Sequence, residues 1–152
     1  MLNIVFTLVS YGRGVARKGF PLFFYAEKNG VIMKMRTWYN PKYFKLQEFV
    51  CKCGCGLGRG SNDLLPVALL LSLDMIRETI EMPVIVTSGW RCPKHNVKSG
   101  GVPGSKHLSG YAADIAAQNY QALVDACAKI APIYNLKTIQ YNSRKFVHLE
   151  VV

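Results

Sequence analysis

The chain has 152 residues, half of them hydrophobic, which is enough for one domain with its own core. Its glycine and proline contents are ordinary and it has no internal repeat, which excludes disordered, collagen-like and solenoid proteins. The formal net charge of +10 favours polyanionic surroundings, but the basic residues are scattered and lack the signature of a nucleic-acid binder, so we expect no nucleic-acid partner.

Residues 1–35 differ in character from the rest of the chain. They combine a short apolar run at 2–9 with a basic, glycine-containing segment and a second apolar patch, without clear periodicity. We expect an accessory N-terminal extension here, either an extra strand pair or an upstream extension of the reading frame, and a functional domain at 36–152. The run at 2–9 lacks a preceding basic residue and a good cleavage site, so a secretory signal is not predicted. No stretch reaches the roughly 18–20 apolar residues of a membrane span.

The first regular element of the functional domain is predicted to be a helix that follows a loop at 51–56. Glycine between the cysteines of that loop disfavours a regular element. Asn62 or Asp63 can act as the N-cap of the helix, and Pro83 ends it. Its apolar face is formed by Leu65, Leu69, Leu73, Ile76 and Ile80.

The remaining sequence predicts a small sheet and a second helix. A β-branched run at 84–87 indicates a buried strand that leads into a long polar loop at 88–104. A short strand at 112–116 precedes a helix capped near Asn119. Two final strands are predicted at 137–141 and 146–151. The fold class is therefore α+β, with helices packed against a small, mainly antiparallel sheet.

The sequence contains only three histidines, and two of them lie where metal ligands would be well placed. His107 comes from a glycine-flanked loop, Asp114 from the adjacent strand and His148 from a distant strand. Two histidines and one carboxylate form an open zinc site, which leaves a position for a water whose pKa the metal lowers. The residues alone leave a second interpretation open, in which the histidines are ordinary hydrogen-bonded side chains.

Three segments carry a specific resemblance: SGWRCPKHN, GGVPGSKHLSGYAADI and FVHLEV. They resemble the zinc D-alanyl-D-alanine carboxypeptidase and endolysin peptidase family, which is related to lysostaphin-type peptidases and to the hedgehog zinc domain. The likeness covers roughly Tyr43 to Val152. It implies one catalytic zinc ion bound by His107, Asp114 and His148, and hydrolysis of a peptide bond in bacterial peptidoglycan.

Further site residues follow from the same segments. Arg91 carries a planar guanidinium that suits a substrate carbonyl and its oxyanion, although a surface Arg bracing the loop is the alternative. Ser105 matches a family position that contacts substrate or supports the first His, and a plain turn residue is the alternative. His95 resembles a family position lining the substrate cleft, or orders its own loop.

The general base is the weakest point of the resemblance. Some relatives have a Glu three residues before the last His, and Lys145 stands at that position here. Glu150 lies two residues after His148, on the same strand face. Glu150 is therefore expected either to accept the proton of the attacking water or to orient His148, and we favour orientation slightly.

Four further cysteines admit two interpretations. Cys51, Cys53, Cys55 and Cys92 could supply thiolates to a structural zinc ion, but the Cys-x-Cys-x-Cys spacing is tighter than that of ordinary zinc knuckles. We favour instead a disulfide between Cys92 and one of the other three, if the protein meets an oxidising compartment. Cys127 falls on the apolar stripe of the second helix and is predicted to be a core residue.

The sequence thus predicts a monomeric zinc peptidase whose partner is a peptidoglycan stem peptide or cross-link. Action at the cell wall, with retention in the cytoplasm until lysis, would fit a phage or prophage enzyme. The alternative is a non-catalytic zinc-containing module that binds cell wall or protein. Lys145 favours that alternative, whereas Arg91 argues against it because a purely structural zinc needs no oxyanion partner.

Overall fold

A computed structural model describes residues 26–28, 31–33, 39–60 and 65–152. The chain divides into two units, Met1–Trp38 and Tyr39–Val152. In the first unit, strand β1 (Ala26–Lys28) pairs antiparallel with strand β2 (Val31–Met33). The second unit contains the elements that position the candidate site.

Helix α1 (Val67–Ile80) is the first long element of this second unit. It begins directly after Pro66, and its C-cap Glu81 adopts a left-handed conformation two residues before Pro83, as the sequence predicts for the end. Leu65 precedes the helix and packs at the edge of the core. The predicted N-cap residues Asn62 and Asp63 lie outside the described residues.

Four strands form one antiparallel sheet, which confirms the predicted α+β class. They are β3 (Val84–Ser88), β4 (Ala112–Ala117), β5 (Leu136–Tyr141) and β6 (Phe146–Val151), in the spatial order β3-β4-β6-β5. The predicted strands are therefore all present, with ends shifted by one residue at most. Consequently β4 and β6 occupy the centre of the sheet.

Helix α3 (Tyr120–Ile130) packs with α1 against these central strands. The predicted cap is confirmed, because the Asn119 side chain accepts a hydrogen bond from the Ala122 backbone N–H at 3.0 Å. Leu123 and Cys127 of this helix are buried in the core, as predicted for its apolar stripe. None of the described residues belongs to a helix long and apolar enough to cross a membrane.

The segment 88–104 is not the continuous loop that the sequence predicts. It contains a short helix, α2 (Pro93–Lys98), with Pro93 at its first turn. Six residues are too few to show an apolar periodicity, and the only buried residue of α2 is polar: Asn96, which donates to the Val102 carbonyl at 2.9 Å. The prediction was wrong here because hydrogen bonding rather than apolar burial holds this helix.

The two faces of the sheet have different chemistry. On β4 and β6, Ala113, Ile115, Val147 and Leu149 are fully buried in the core. Strand alternation sends the intervening residues, including the candidate ligands, to the opposite face. The register between β3 and β4 shifts between Val86 and Ser88, and this irregularity aims the end of β3 at that polar face.

Candidate active site

Three side chains converge on the polar face of the sheet: His107, Asp114 and His148, referred to below as the His–Asp cluster. Asp114 Oδ1 lies 3.2 Å from His107 Nε2 and 2.7 Å from His148 Nδ1. The two ring nitrogens, His107 Nε2 and His148 Nδ1, lie 3.2 Å apart. These three atoms thus surround a point that one metal ion can occupy.

Each member of the His–Asp cluster is held by a different element. Asp114 on β4 and His148 on β6 are direct cross-strand neighbours, so the sheet fixes their separation. His107 comes from a 3-10 turn, Lys106–Leu108, and its backbone N–H donates to the Ser105 hydroxyl at 3.4 Å. All three residues are buried, with exposures of 1%, 4% and 8% in chain order. The ligands are therefore preorganised in a largely buried site.

The tautomer of each histidine is set by the ring nitrogen that faces away from the cluster. His107 Nδ1 lies 2.6 Å from the Gly89 carbonyl oxygen, and His148 Nε2 lies 3.1 Å from Glu150 Oε2. A carbonyl and a carboxylate only accept hydrogen bonds, so both outward nitrogens carry the proton. Neutral imidazoles then point lone pairs at each other and at Asp114, an arrangement that a bound cation satisfies. The donor set therefore fits zinc.

Titration within the cluster agrees with this geometry. Burial alone would raise the pKa of Asp114, but hydrogen bonds with His107 and His148 outweigh burial and hold that pKa well below its usual range. Burial tends to lower the pKa of His148, yet Asp114 and Glu150 raise it above the ordinary histidine value. Without a metal ion, a proton on His148 therefore neutralises part of the carboxylate charge.

Arg91 lies beside the cluster, as the sequence predicts. Its Nε donates to Ser88 Oγ at 2.8 Å, and its terminal nitrogen forms a close ion pair with Asp114 Oδ2. Its backbone N–H donates to the His107 carbonyl at 2.9 Å. The side chain is only 13% exposed, so water screens the guanidinium charge only weakly at the site.

Glu150 is engaged on both carboxylate oxygens. Oε2 accepts from His148, and Oε1 lies 3.3 Å from Nζ of Lys137, its cross-strand partner on β5. These contacts lower the pKa of Glu150 despite partial burial. Lys145 lies in the β5–β6 turn with a left-handed backbone, and its ammonium sits 5.1 Å from the centre of the Tyr120 ring. The structure therefore gives Lys145 a contact with α3.

Ser105 and His95 take different positions. The Ser105 hydroxyl caps the turn that carries His107, which agrees with a supporting role. His95 lies on α2, with Nδ1 3.3 Å from Cys51 Sγ. Of the residues predicted for the site, His95 is the one that the described contacts place against the cysteines.

Two site residues escaped the sequence reasoning: Ser88, which orients Arg91, and Gly89, whose carbonyl fixes the tautomer of His107. A side chain at Gly89 would collide with the backbone of Phe49, so only glycine permits this close approach. Both residues directly follow the strand predicted at 84–87, and this position is the feature of the sequence that could have indicated their role in the site.

The predicted disulfide is not formed. All five cysteines are free, and Cys51, Cys53, Cys55 and Cys92 instead group together, referred to below as the cysteine cluster. Cys127 lies apart in the core, where burial raises the pKa of its thiol to about 12. The prediction of a core role for Cys127 is confirmed.

A buried His–His–Asp set on an α+β sheet, with a guanidinium beside it, defines the class of zinc metallopeptidases. The comparison with protein families agrees: the model of the Peptidase M15 family matches residues 42–150. The chain belongs to this peptidase family and is a zinc metallopeptidase. Neither the curated proteins nor the solved structures contain a match.

Proposed function

We propose that this zinc peptidase hydrolyses a peptide bond in bacterial peptidoglycan, and that His107, Asp114 and His148 hold the catalytic ion. The observation that carries the proposal is the pairing of the His–Asp cluster with Arg91, whose guanidinium contacts the ligand Asp114. A purely structural zinc site would not need a permanent cation in contact with one of its ligands.

The chain's own residues divide the work. Zinc, when bound, supplies a Lewis acid that polarises the scissile carbonyl and lowers the pKa of an attacking water. Ser88 fixes the Arg91 side chain, whose remaining donor capacity can stabilise the oxyanion that develops during attack. Gly89 and Glu150 hold the two imidazoles in the tautomers that leave their lone pairs free for the metal.

The role of Glu150 within this scheme is orientation of His148. Its two oxygens already contact His148 and Lys137, and these two contacts lower the pKa of Glu150 and keep the carboxylate charged. A charged carboxylate strengthens the basicity of the histidine it contacts, and so strengthens metal binding. Ser105 supports His107 by capping its turn, and His95 is proposed to act at the edge of the substrate cleft.

Charge and family support a cell-wall substrate. The net charge of +10 suits a matrix that carries anionic polymers such as teichoic acids. The family resemblance leaves two classes of candidate bond: the terminal D-Ala-D-Ala bond of the stem peptide, and an internal bond, either at L-Ala-D-Glu or in the cross-bridge. We further propose that residues 36–152 form the functional domain and act as a monomer, because a small enzyme penetrates the wall mesh most easily.

The test is the release of free amino groups from purified peptidoglycan, measured with and without a chelator and after zinc is added back. We expect release that the chelator abolishes, that zinc restores, and that His148→Ala eliminates. Release of free D-Ala assigns a carboxypeptidase, whereas new fragments with internal amino termini assign an endopeptidase. Stoichiometric zinc binding without cleavage of either bond would contradict the proposal and favour a binding module.

A further inference from the structure

The cysteine cluster lies outside the His–Asp cluster and takes no part in the proposed chemistry. Cys51, Cys53 and Cys55 lie on the loop that follows the 3-10 turn Leu46–Phe49, and Cys92 stands directly before α2. All four sulfur atoms lie within 4.8 Å of one another. Two segments about forty residues apart in sequence therefore bring four thiols to one point.

The separations of the sulfurs suit a metal ion better than a covalent bond. Cys53 Sγ lies 3.4 Å from Cys51 Sγ and 3.6 Å from Cys92 Sγ. A disulfide would need about 2.05 Å. Four thiolates at about 2.3 Å from a tetrahedral zinc ion are instead about 3.8 Å apart, which is close to the observed spacing.

The backbone conformation of Gly54 explains how cysteines at the tight Cys-x-Cys-x-Cys spacing can bind one metal ion. Gly54, between Cys53 and Cys55, has a φ of +83°, a conformation that residues with a side chain rarely adopt. This reversal lets the chain turn back within one residue, so that neighbouring cysteines can face a common centre. The spacing is therefore tolerated because glycine relieves the backbone strain that other residues would store.

The surroundings of the sulfurs suit thiolates. The backbone N–H groups of Cys92 and His95 donate to Cys51 Sγ and Cys92 Sγ, each at 3.4 Å. His95 Nδ1 lies 3.3 Å from Cys51 Sγ, within reach of a further hydrogen bond to that sulfur. Hydrogen bonds of this kind orient metal ligands and stabilise the negative charge of a tetrathiolate site.

We propose that Cys51, Cys53, Cys55 and Cys92 bind a second, structural zinc ion. Four thiolates close the coordination sphere of zinc, leaving no position for water, so this ion has no hydrolytic role. Each thiol loses its proton to solvent as the metal binds. The ion ties the loop 51–56 to the start of α2.

An ion bound at the cysteine cluster would affect the active site through the residues next to Cys92. Arg91 precedes Cys92 directly, and the backbone N–H of Trp90 donates to the Phe49 carbonyl at 2.7 Å. The segment 89–92 is thus fastened to the segment 49–55 by this backbone hydrogen bond and by the hydrogen bond from the Cys92 N–H to Cys51 Sγ. With zinc bound, Cys92 would also share the ion with the three cysteines of the loop. The second ion is a positioning device for Arg91, separate from the ion that performs catalysis.

The test counts metal ions in the full-length protein purified under reducing conditions with zinc. Elemental analysis should give two zinc ions per chain. His148→Ala should retain one, and the double variant Cys53→Ala/Cys92→Ala should also retain one. Cys127→Ala is the matched control, since it removes a thiol outside the cysteine cluster, and it should keep two.

Cobalt substitution identifies the ligands without relying on the cysteine variants. Cobalt-loaded His148→Ala should show the intense near-ultraviolet charge-transfer bands of thiolate–cobalt bonds, and these bands should be absent from the double cysteine variant. One zinc ion per wild-type chain, none in His148→Ala, or a cobalt spectrum without thiolate bands would overturn the proposal. Because peptidase activity is not the readout, failure here is distinguishable from failure of the proposed function.

Discussion

The His–Asp cluster and the cysteine cluster are built in opposite ways. The former takes two ligands from adjacent central strands, and all three of its ligands are at least nine-tenths buried. The latter takes three of its four ligands from one glycine-containing loop, and Cys53 and Cys55 are exposed. A catalytic metal must be held at a fixed distance from the groups that assist it, so its ligands benefit from a rigid sheet. A structural metal can itself fix the loop that carries its ligands.

The largest expected effect comes from Asp114→Asn, which keeps the shape of the side chain but removes the charge shared by both histidines and Arg91. Peptidase activity should fall by about 10³-fold or more, because the metal contributes several kcal/mol of transition-state stabilisation. Zinc content should drop by one ion. Asp125→Asn, an exposed position on α3, is the matched control and should leave activity unchanged in the same amino-group assay.

Arg91→Ala should have the next largest effect. Loss of one oxyanion donor costs about 10²- to 10³-fold in kcat. KM should change much less than kcat if the guanidinium acts mainly in the transition state. Steady-state kinetics on a stem-peptide substrate at saturating zinc measure both constants. Arg144→Ala, which removes an exposed guanidinium from the rings of Tyr141 and Phe146, is the control. An unchanged kcat in Arg91→Ala would show that Arg91 stabilises its loop and does not assist catalysis.

Glu150→Gln separates orientation from general-base catalysis. If Glu150 orients His148, zinc affinity should weaken by about 10- to 100-fold while kcat at saturating zinc is retained. Competition with a chromogenic chelator measures the affinity. Glu78→Gln, which alters an exposed carboxylate on α1, should change neither value. A kcat loss of about 10²-fold or more with zinc fully bound would instead assign the general base to Glu150.

The smallest expected effect is the pH dependence of zinc affinity at the His–Asp cluster. A proton and zinc compete for Nδ1 of His148, and the raised pKa of His148 means that the proton is held more tightly than by a free imidazole. Zinc affinity at the His–Asp cluster should therefore weaken as the pH falls through that raised pKa, beginning above the ordinary value of about 6.5. One proton contributes at most about tenfold per pH unit. Chelator competition at a series of pH values in the double cysteine variant isolates this cluster, and a zinc affinity that does not weaken as the pH falls would contradict the assignment.

The family resemblance implied that His107, Asp114 and His148 lie together, and the structure groups them, whereas residue types and spacing alone left ordinary hydrogen-bonded histidines as an alternative. His107 and Asp114 occur in one glycine-rich motif, and His148 lies on a strand whose alternation is clear in FVHLEV. The same alternation placed Glu150 beside His148, where the structure puts it. Because strand periodicity is a property of neighbouring residues, it predicts from the sequence which side chains share one face of a sheet.

The cysteine cluster could not be predicted in the same way. Its assembly depends on a tertiary contact between Phe49 and Trp90, and local sequence does not encode how closely those segments approach. The spacing of Cys51, Cys53 and Cys55 argued against a tetrahedral site because the left-handed backbone at Gly54 was not foreseen. Helix α2 was missed for a different reason: its six residues show no apolar periodicity, and its buried residue, Asn96, is held by a hydrogen bond to the Val102 carbonyl.

Zinc-edge anomalous scattering from crystals of the active, zinc-loaded enzyme would locate the bound ions. We expect one peak bounded by His107 Nε2, Asp114 Oδ1 and His148 Nδ1, and a second peak among the four sulfurs of the cysteine cluster. A zinc peak at the sulfurs alone, in protein that still cleaves peptidoglycan, would contradict the assignment of the His–Asp cluster as the catalytic centre.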